Sequence, residues 1–140
     1  MKYLARILRN RSGSAAVEFA IVAPVFILVL LTMIAYGIYL MAAYAVQQVA
    51  ADAARTAVAG ISTTERQTLA KDYVDKSALD YIFLDKKHVN VSVGTDPANA
   101  NQFTVTVEYD ATDLPIWNLY SFALPDKTIR RFSTIRIGGI

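Results

Sequence analysis

The chain has 140 residues, 54% of them hydrophobic, with 14 Lys+Arg against 12 Asp+Glu and no cysteine. That length allows one modest domain, and the absence of cysteine excludes a disulfide framework and a Cys-ligated zinc site. Lys2, Arg6, Arg9 and Arg11 all precede Gly13, which leaves 10 Lys+Arg against 12 Asp+Glu for the remainder. The basic balance is therefore local to the N-terminus and is not the footprint of a nucleic-acid-binding surface.

Behind this basic flank, Phe19 to Val46 form a run of 28 residues without a charge. Roughly 20 apolar helical residues cross a bilayer's hydrocarbon, so the run predicts a transmembrane helix with turns to spare. Basic residues lie before it and mixed charges, beginning with Asp52 and Arg55, lie after it. The positive-inside bias then places the N-terminus in the cytoplasm and the C-terminal part outside. Pro24 removes the hydrogen bond to the Ala20 carbonyl and predicts a kink or a loosened turn, which membrane helices tolerate. A competing feature is "AYA" at 43–45, which has the small-x-small form of a signal-peptidase site. The apolar run before it is roughly twice the usual 7 to 15 residues of a signal peptide, which favours an anchor.

Helical spacing continues through "QQVAADAARTAVAG", where Val46, Val49, Ala50, Ala53, Ala54, Ala57 and Val58 share a face of small residues. Gly60 reads as a C′ glycine ending the helix. A helix from Ser14 to Ala59 would be about 70 Å long, so part of it extends past the hydrocarbon. The alanine face suits the close approach of another helix, and it equally reflects alanine's high helix propensity.

Ser62 and Glu65 match a capping box, opening a second helix over about Thr63 to Leu79. Leu69, Tyr73, Val74, Ala78, Tyr81 and Ile82 form its apolar stripe. After "DKKH" the period changes from helical to alternating. Val89, Val91 and Val93 alternate with polar residues, as do Phe103, Val105, Val107 and Tyr109, which predicts two half-buried strands. The intervening "GTDPANAN" has turn composition and suggests a hairpin. "LPIWNLYSFALP" follows, and its Trp117, Tyr120 and Phe122 suit either packing beneath the sheet or a partner surface. A last strand over about Thr128 to Ile137 closes an antiparallel sheet of about three strands. The fold class expected is α+β.

Little in the chain suggests catalysis. His88 is the single histidine, and beside Lys86 and Lys87 it reads as a solvated residue. Asp72 and Lys76 stand four apart on a helix and read as a surface ion pair, and Asp75 and Asp80 read as part of the same solvated face. Arg130, Arg131 and Arg136 lack the aromatic interleaving of a nucleic-acid surface. No glycine-rich phosphate loop occurs. The expectation is a non-enzyme without metal or cofactor and without a nucleic-acid partner.

The most unusual side chain is Glu18, at the threshold of the apolar run. A carboxylate in hydrocarbon costs roughly 2.5 kcal/mol or more at the centre and less near an edge. One explanation is mild: in the headgroup region, near the first turn of the helix, the macrodipole favours a negative charge by about 0.3 to 1 kcal/mol.

Taken together, "RSGSAAVEFAIVAPVFILVLL" resembles the processing region of type IV prepilins, with a short basic leader ending in glycine, a glutamate five residues later and a long hydrophobic helix. More narrowly, "GSAAVEFAIVAPVF" followed by "AADAARTAV" is similar to the TadE-like minor pseudopilins of the tight-adherence (Tad or Flp) pilus system. The resemblance implies residues 1–13 as a leader, 14–60 as the transmembrane and extended helix, and 61–140 as a small extracytoplasmic α+β domain. It implies cleavage between Gly13 and Ser14 by a prepilin peptidase at the bacterial inner membrane. Glu18 would then be a recognition or assembly residue, with Phe19 the aromatic that often follows it. The partners implied are the membrane, the peptidase, other pilins and pseudopilins, and the pilus assembly machinery. The alternative is a membrane-tethered accessory or binding domain that never enters a filament.

Overall fold

The computed structural model describes residues 11–77, 81, 84–96, 99–119 and 125–137. Its element order is helix, helix, three strands, so the expected α+β class and the three-stranded antiparallel sheet are both present. The chain divides into two units at Tyr36 and Gly37.

Helix α1 runs Arg11–Ala57 without interruption, Pro24 included. It begins three residues earlier than expected from the sequence and ends two residues earlier. In residues 11–36 nearly every large apolar side chain is exposed, from Val17 through Phe26 to Ile34. Residues 37–57 differ in kind. Ala42, Val46, Val49, Ala50, Ala53 and Ala57 are all buried. The small-residue face is thus covered by the second unit itself, whereas Val58, past the helix end, is exposed.

Gly60 is not the left-handed C′ residue expected. The helix stops at Ala57, and the turn is closed by N–H groups of Val58, Ala59 and Gly60 donating to carbonyls three residues back. What requires glycine at 60 is a close approach. A Cβ there would lie 2.8 Å from both the Arg66 Cγ and its backbone nitrogen.

Helix α2 spans Thr63–Ser77. Its capping box forms with a slip of one residue: the Glu65 N–H donates to Ser62 Oγ at 3.2 Å, while Glu65 Oε2 accepts from the Ile61 N–H at 2.9 Å rather than from Ser62. Val74 is buried and Leu69 and Tyr73 are half-buried, as the apolar stripe predicts, and Ala70, not part of that stripe, is buried as well. Leu79, Ala78 and Ile82 lie outside the described residues. The Tyr73 hydroxyl reaches Asp52 Oδ2 of α1 at 3.4 Å.

The sheet is a meander of β1 (Val89–Asp96), β2 (Asn99–Asp110) and β3 (Thr128–Arg136), with β2 central. A short 3-10 turn, Lys86–His88, leads into β1. The first hairpin is tighter than its turn composition suggested. Pairing runs out to Asp96 opposite Asn99, with a register irregularity just before it. Alternation decides the faces, as it must in a pleated strand. Phe103, Val105, Val107 and Tyr109 are buried on one face, joined by Val91 opposite Val107 and Ile129 opposite Tyr109. Asn90, Ser92, Thr104, Thr106, Glu108, Arg130 and Phe132 occupy the other. Beneath the buried face Arg66 stacks its guanidinium 5.0 Å from the Phe103 ring centre, and its Nε has no hydrogen-bond partner.

Both margins of the sheet are met by side chains. On β1, Gln67 of α2 accepts from the Val93 N–H at 2.7 Å and donates to the Val91 carbonyl at 2.8 Å. One side-chain amide therefore pairs with β1 as a neighbouring strand would. On β3, Gln47 of α1 donates to the Phe132 carbonyl at 3.2 Å, and Arg131 donates to the Arg130 carbonyl at 2.8 Å. Unpaired sheet edges are templates for another chain's strand, and such contacts blunt them.

Candidate functional site

The sequence singles out the start of α1, and the helix determines what that stretch can do. Residues four apart lie one above the other on a helix surface. Ser14 and Glu18 meet in this way, the Ser14 hydroxyl donating to Glu18 Oε1 at 3.1 Å in an exposed position. Phe19, next along the helix, is 72% exposed, and Val17 on the other side of Glu18 is 60% exposed. Gly13 is itself within the helix, and a Cβ added there would meet nothing within 4 Å. The Gly13–Ser14 peptide bond therefore lies in a helical turn, in a stretch where glycine costs about 1 kcal/mol relative to alanine.

Beyond this point the helix has no hydrogen-bonding side chain until Thr32, which returns its hydroxyl to the Leu28 carbonyl at 2.8 Å. Pro24 leaves the Ala20 carbonyl without its usual partner four residues on. Within Gly13–Ala57 an 18-residue window reaches a mean hydropathy of 2.6, and none of that window is buried. Among the described residues, α1 is the one helix long and apolar enough to cross a membrane. A core helix of a water-soluble domain would bury these side chains; here they face outward.

Residues 13–55 match the family model described as TadE-like protein. The TadE-like stretch thus contains Gly13, Ser14, Glu18, Phe19 and Pro24, together with the alanine-rich end of α1. It accords with the resemblance carried by "GSAAVEFAIVAPVF" and "AADAARTAV". The sheet and α2 lie outside it. No curated protein and no solved structure matches the chain. The TadE-like match thus coincides with the exposed apolar helix, which is long and apolar enough for a single pass across a membrane.

The other residues read from the sequence lie in the second unit. Trp117 belongs to a 3-10 turn, Pro115–Asn118, in which Ile116 is fully buried. Its indole N–H donates to the Ala111 carbonyl at 2.5 Å, and Lys127 Nζ lies 5.6 Å from the ring centre. The indole is half-buried and tied to its own unit at both its nitrogen and its face. Tyr120 and Phe122 lie outside the described residues. Asp72 and Lys76 form the expected exposed pair, 3.4 Å apart. His88 departs from the solvated reading: it is half-buried, with Nδ1 3.5 Å from Asp113 Oδ2. No group of three or more His, Cys, Asp or Glu able to hold a metal occurs among the described residues.

Two features escaped the sequence reading. The hydrogen bond between Ser14 and Glu18 was available from their four-residue spacing. Gln67 carried no such signal, because a glutamine on a helix reads as solvent-facing until the strand beside it is known.

Proposed function

We propose that this chain is a non-catalytic minor pseudopilin of a Tad/Flp adherence pilus, processed between Gly13 and Ser14 by a prepilin peptidase and anchored by α1 in the bacterial inner membrane. The leader side of the cut would be cytoplasmic and residues 61–140 extracytoplasmic, consistent with the basic flank. The observation that supports the reading is the Ser14 to Glu18 pair, seated at the entrance to a helix whose large apolar side chains between Val17 and Ile34 are mostly exposed.

Cleavage would create an ammonium at Ser14, four residues from a carboxylate already held on the same helix face. As helices pack side by side, a neighbouring subunit's Glu18 can neutralise that ammonium. Two charges poorly solvated in the membrane are then relieved together, and the pair fixes the stagger between helices. Before assembly, the Ser14 hydroxyl satisfies one lone pair of the carboxylate. A peptidase needs an extended backbone at the scissile bond, so the first turn of α1 must open; glycine at 13 makes that opening cheap.

N-terminal mass analysis of the protein purified from cells with an active prepilin peptidase tests the reading. The expected product begins at Ser14 and is lost in Gly13→Leu, a substitution for which the helix has space. An intact Met1 start would sink the processed-pseudopilin reading and leave a tethered accessory domain. In the same cells, Glu18→Ala is expected to insert normally while piliation falls; normal piliation would return Glu18 to a headgroup role.

A further inference from the structure

The second unit meets α1 where the charge-free run of the helix ends. That run, Phe19 to Val46, has 28 residues. At 1.5 Å per residue it is about 42 Å long, which exceeds the roughly 30 Å of a bilayer's hydrocarbon and matches a whole bilayer with its headgroups, roughly 40–45 Å. Gln47, the first polar side chain after the run, therefore stands at the outer limit of the headgroups. Tyr44, one turn below it at about 4.5 Å, is 65% exposed, and tyrosine is enriched at that level of a membrane. Gln47 is also the residue that reaches the sheet, its Nε2 donating to the Phe132 carbonyl of β3 at 3.2 Å. The β3 margin at Phe132 is thereby tied to the same height along α1. Leu40, Tyr44 and Gln47 stand at i, i+4 and i+7 and share one stripe of the helix. The neighbouring stripe of Ala42, Val46 and Val49 is buried, whereas Leu40 and Tyr44 are exposed. Phe132, 64% exposed, is the large hydrophobic side chain left exposed among the described strand residues.

We propose that Phe132, with Leu40 and Tyr44, forms a lipid-contacting patch through which the second unit rests the β3 margin on the headgroups of the bilayer that α1 crosses. The occupant is lipid because the patch begins inside the charge-free run: Leu40 and Tyr44 belong to the stretch that the bilayer already surrounds, and Phe132 joins them through Gln47. A unit held clear of the membrane would need a polar length of helix between the apolar run and its first contact with the sheet. Here there is none, since Val46 ends the run and Gln47 makes the contact. An exposed aromatic ring at headgroup height has apolar surface to remove from water, and a bilayer interface accepts such rings. The inference rests on α1 spanning a membrane and is independent of processing at Gly13.

The chain has no cysteine, so one introduced cysteine carries one spin label. Full-length protein labelled at Val25→Cys, Tyr44→Cys, Ile61→Cys or Phe132→Cys, all exposed positions, is reconstituted in vesicles of phosphatidylethanolamine and phosphatidylglycerol. Power saturation then compares collisions with oxygen, which concentrates in lipid, and with a nickel chelate present on both sides, which stays in water. Val25 reports the span. Ile61, 90% exposed and past the far end of α1, reports bulk water. The Phe132 label is expected to resemble the Tyr44 label and to lose most of the nickel accessibility that the Ile61 label shows. A Phe132 label as open to nickel as the Ile61 label would overturn the proposal and leave the span standing. So would a Phe132 label closed to both reagents with spin–spin broadening between copies, which would give the patch to a second copy of the chain. A Val25 label open to nickel would remove the span itself, and the proposal with it.

Discussion

Residues 11–36 and residues 37–140 solve the burial problem in opposite ways. In the second unit the apolar stripe of each element is covered by another element, and even the sheet margins are met by Gln67, Gln47 and Arg131. In the first, Val17, Phe19, Ile21, Val25 and Phe26 are all exposed. The difference teaches where each region's stability comes from. The second unit derives its stability from its own packing, whereas the first relies on hydrogen bonds within one helix and on an apolar surrounding.

The contrast can be broken most directly by truncating one large side chain on each side of it. Phe103→Ala removes a fully buried ring from the centre of β2 and is expected to cost about 3–5 kcal/mol, enough to unfold a marginal unit. Val25→Ala should change the denaturation midpoint of that unit by no more than about 0.5 kcal/mol. Equal effects in urea titrations of the micelle-bound chain would erase the distinction. A smaller change probes the margins. Gln67→Ala deletes two hydrogen bonds and exposes the β1 edge, which should cost about 1–3 kcal/mol and produce concentration-dependent association by light scattering. Unaltered stability together with a monodisperse sample would show that the amide is dispensable.

The mildest expected effect is on pH dependence. Burial pushes the Tyr73 hydroxyl above its ordinary 10.0, with the Asp52 charge adding to the shift. Burial likewise raises Tyr109 above 10.0, opposed in part by a backbone hydrogen bond at Asp85. The protonated phenols are favoured in the folded unit, so their contribution is intact below the unfolded value. As pH rises through 10 the unfolded chain ionises first, and stability falls until the folded values are passed. Denaturant midpoints taken between about pH 9 and pH 11 should decline, and a Tyr73→Phe, Tyr109→Phe double variant should decline less steeply. Parallel slopes would contradict the assignment.

Legibility from sequence follows the same divide. The strands were plain because Val105 and Val107 alternate with Thr104, Thr106 and Glu108, and alternation is a local property. The membrane helix was plain for the same reason, being a run of one kind of residue. What escaped depended on residues far apart in the chain. Gly60 matched a helix terminator by position, yet its requirement comes from the approach of Arg66 in the following helix. The turn between β1 and β2 was drawn too wide because composition marks polar residues, and the pairing of Asp96 with Asn99 involves polar residues too. Trp117 could be read as core or as surface, and the Ala111 carbonyl that receives its N–H is not recognisable from the aromatic cluster alone. At the candidate site the residues themselves were legible, because glycine, serine and glutamate lie within six positions of one another.

The single glutamine that closes β1 has a bearing on life in a membrane. Chains held in a bilayer diffuse in two dimensions and meet their copies far more often than the same number dissolved in a cell's volume. Under that crowding an open strand margin would invite exchange between copies before any ordered assembly began. With Gln67 occupying the Val93 N–H and the Val91 carbonyl, another strand cannot pair with that stretch of β1 without first displacing the glutamine of α2. Pairing with another strand is thereby disfavoured along that stretch of β1, while the large apolar side chains from Val17 to Ile34 of α1 stay mostly exposed.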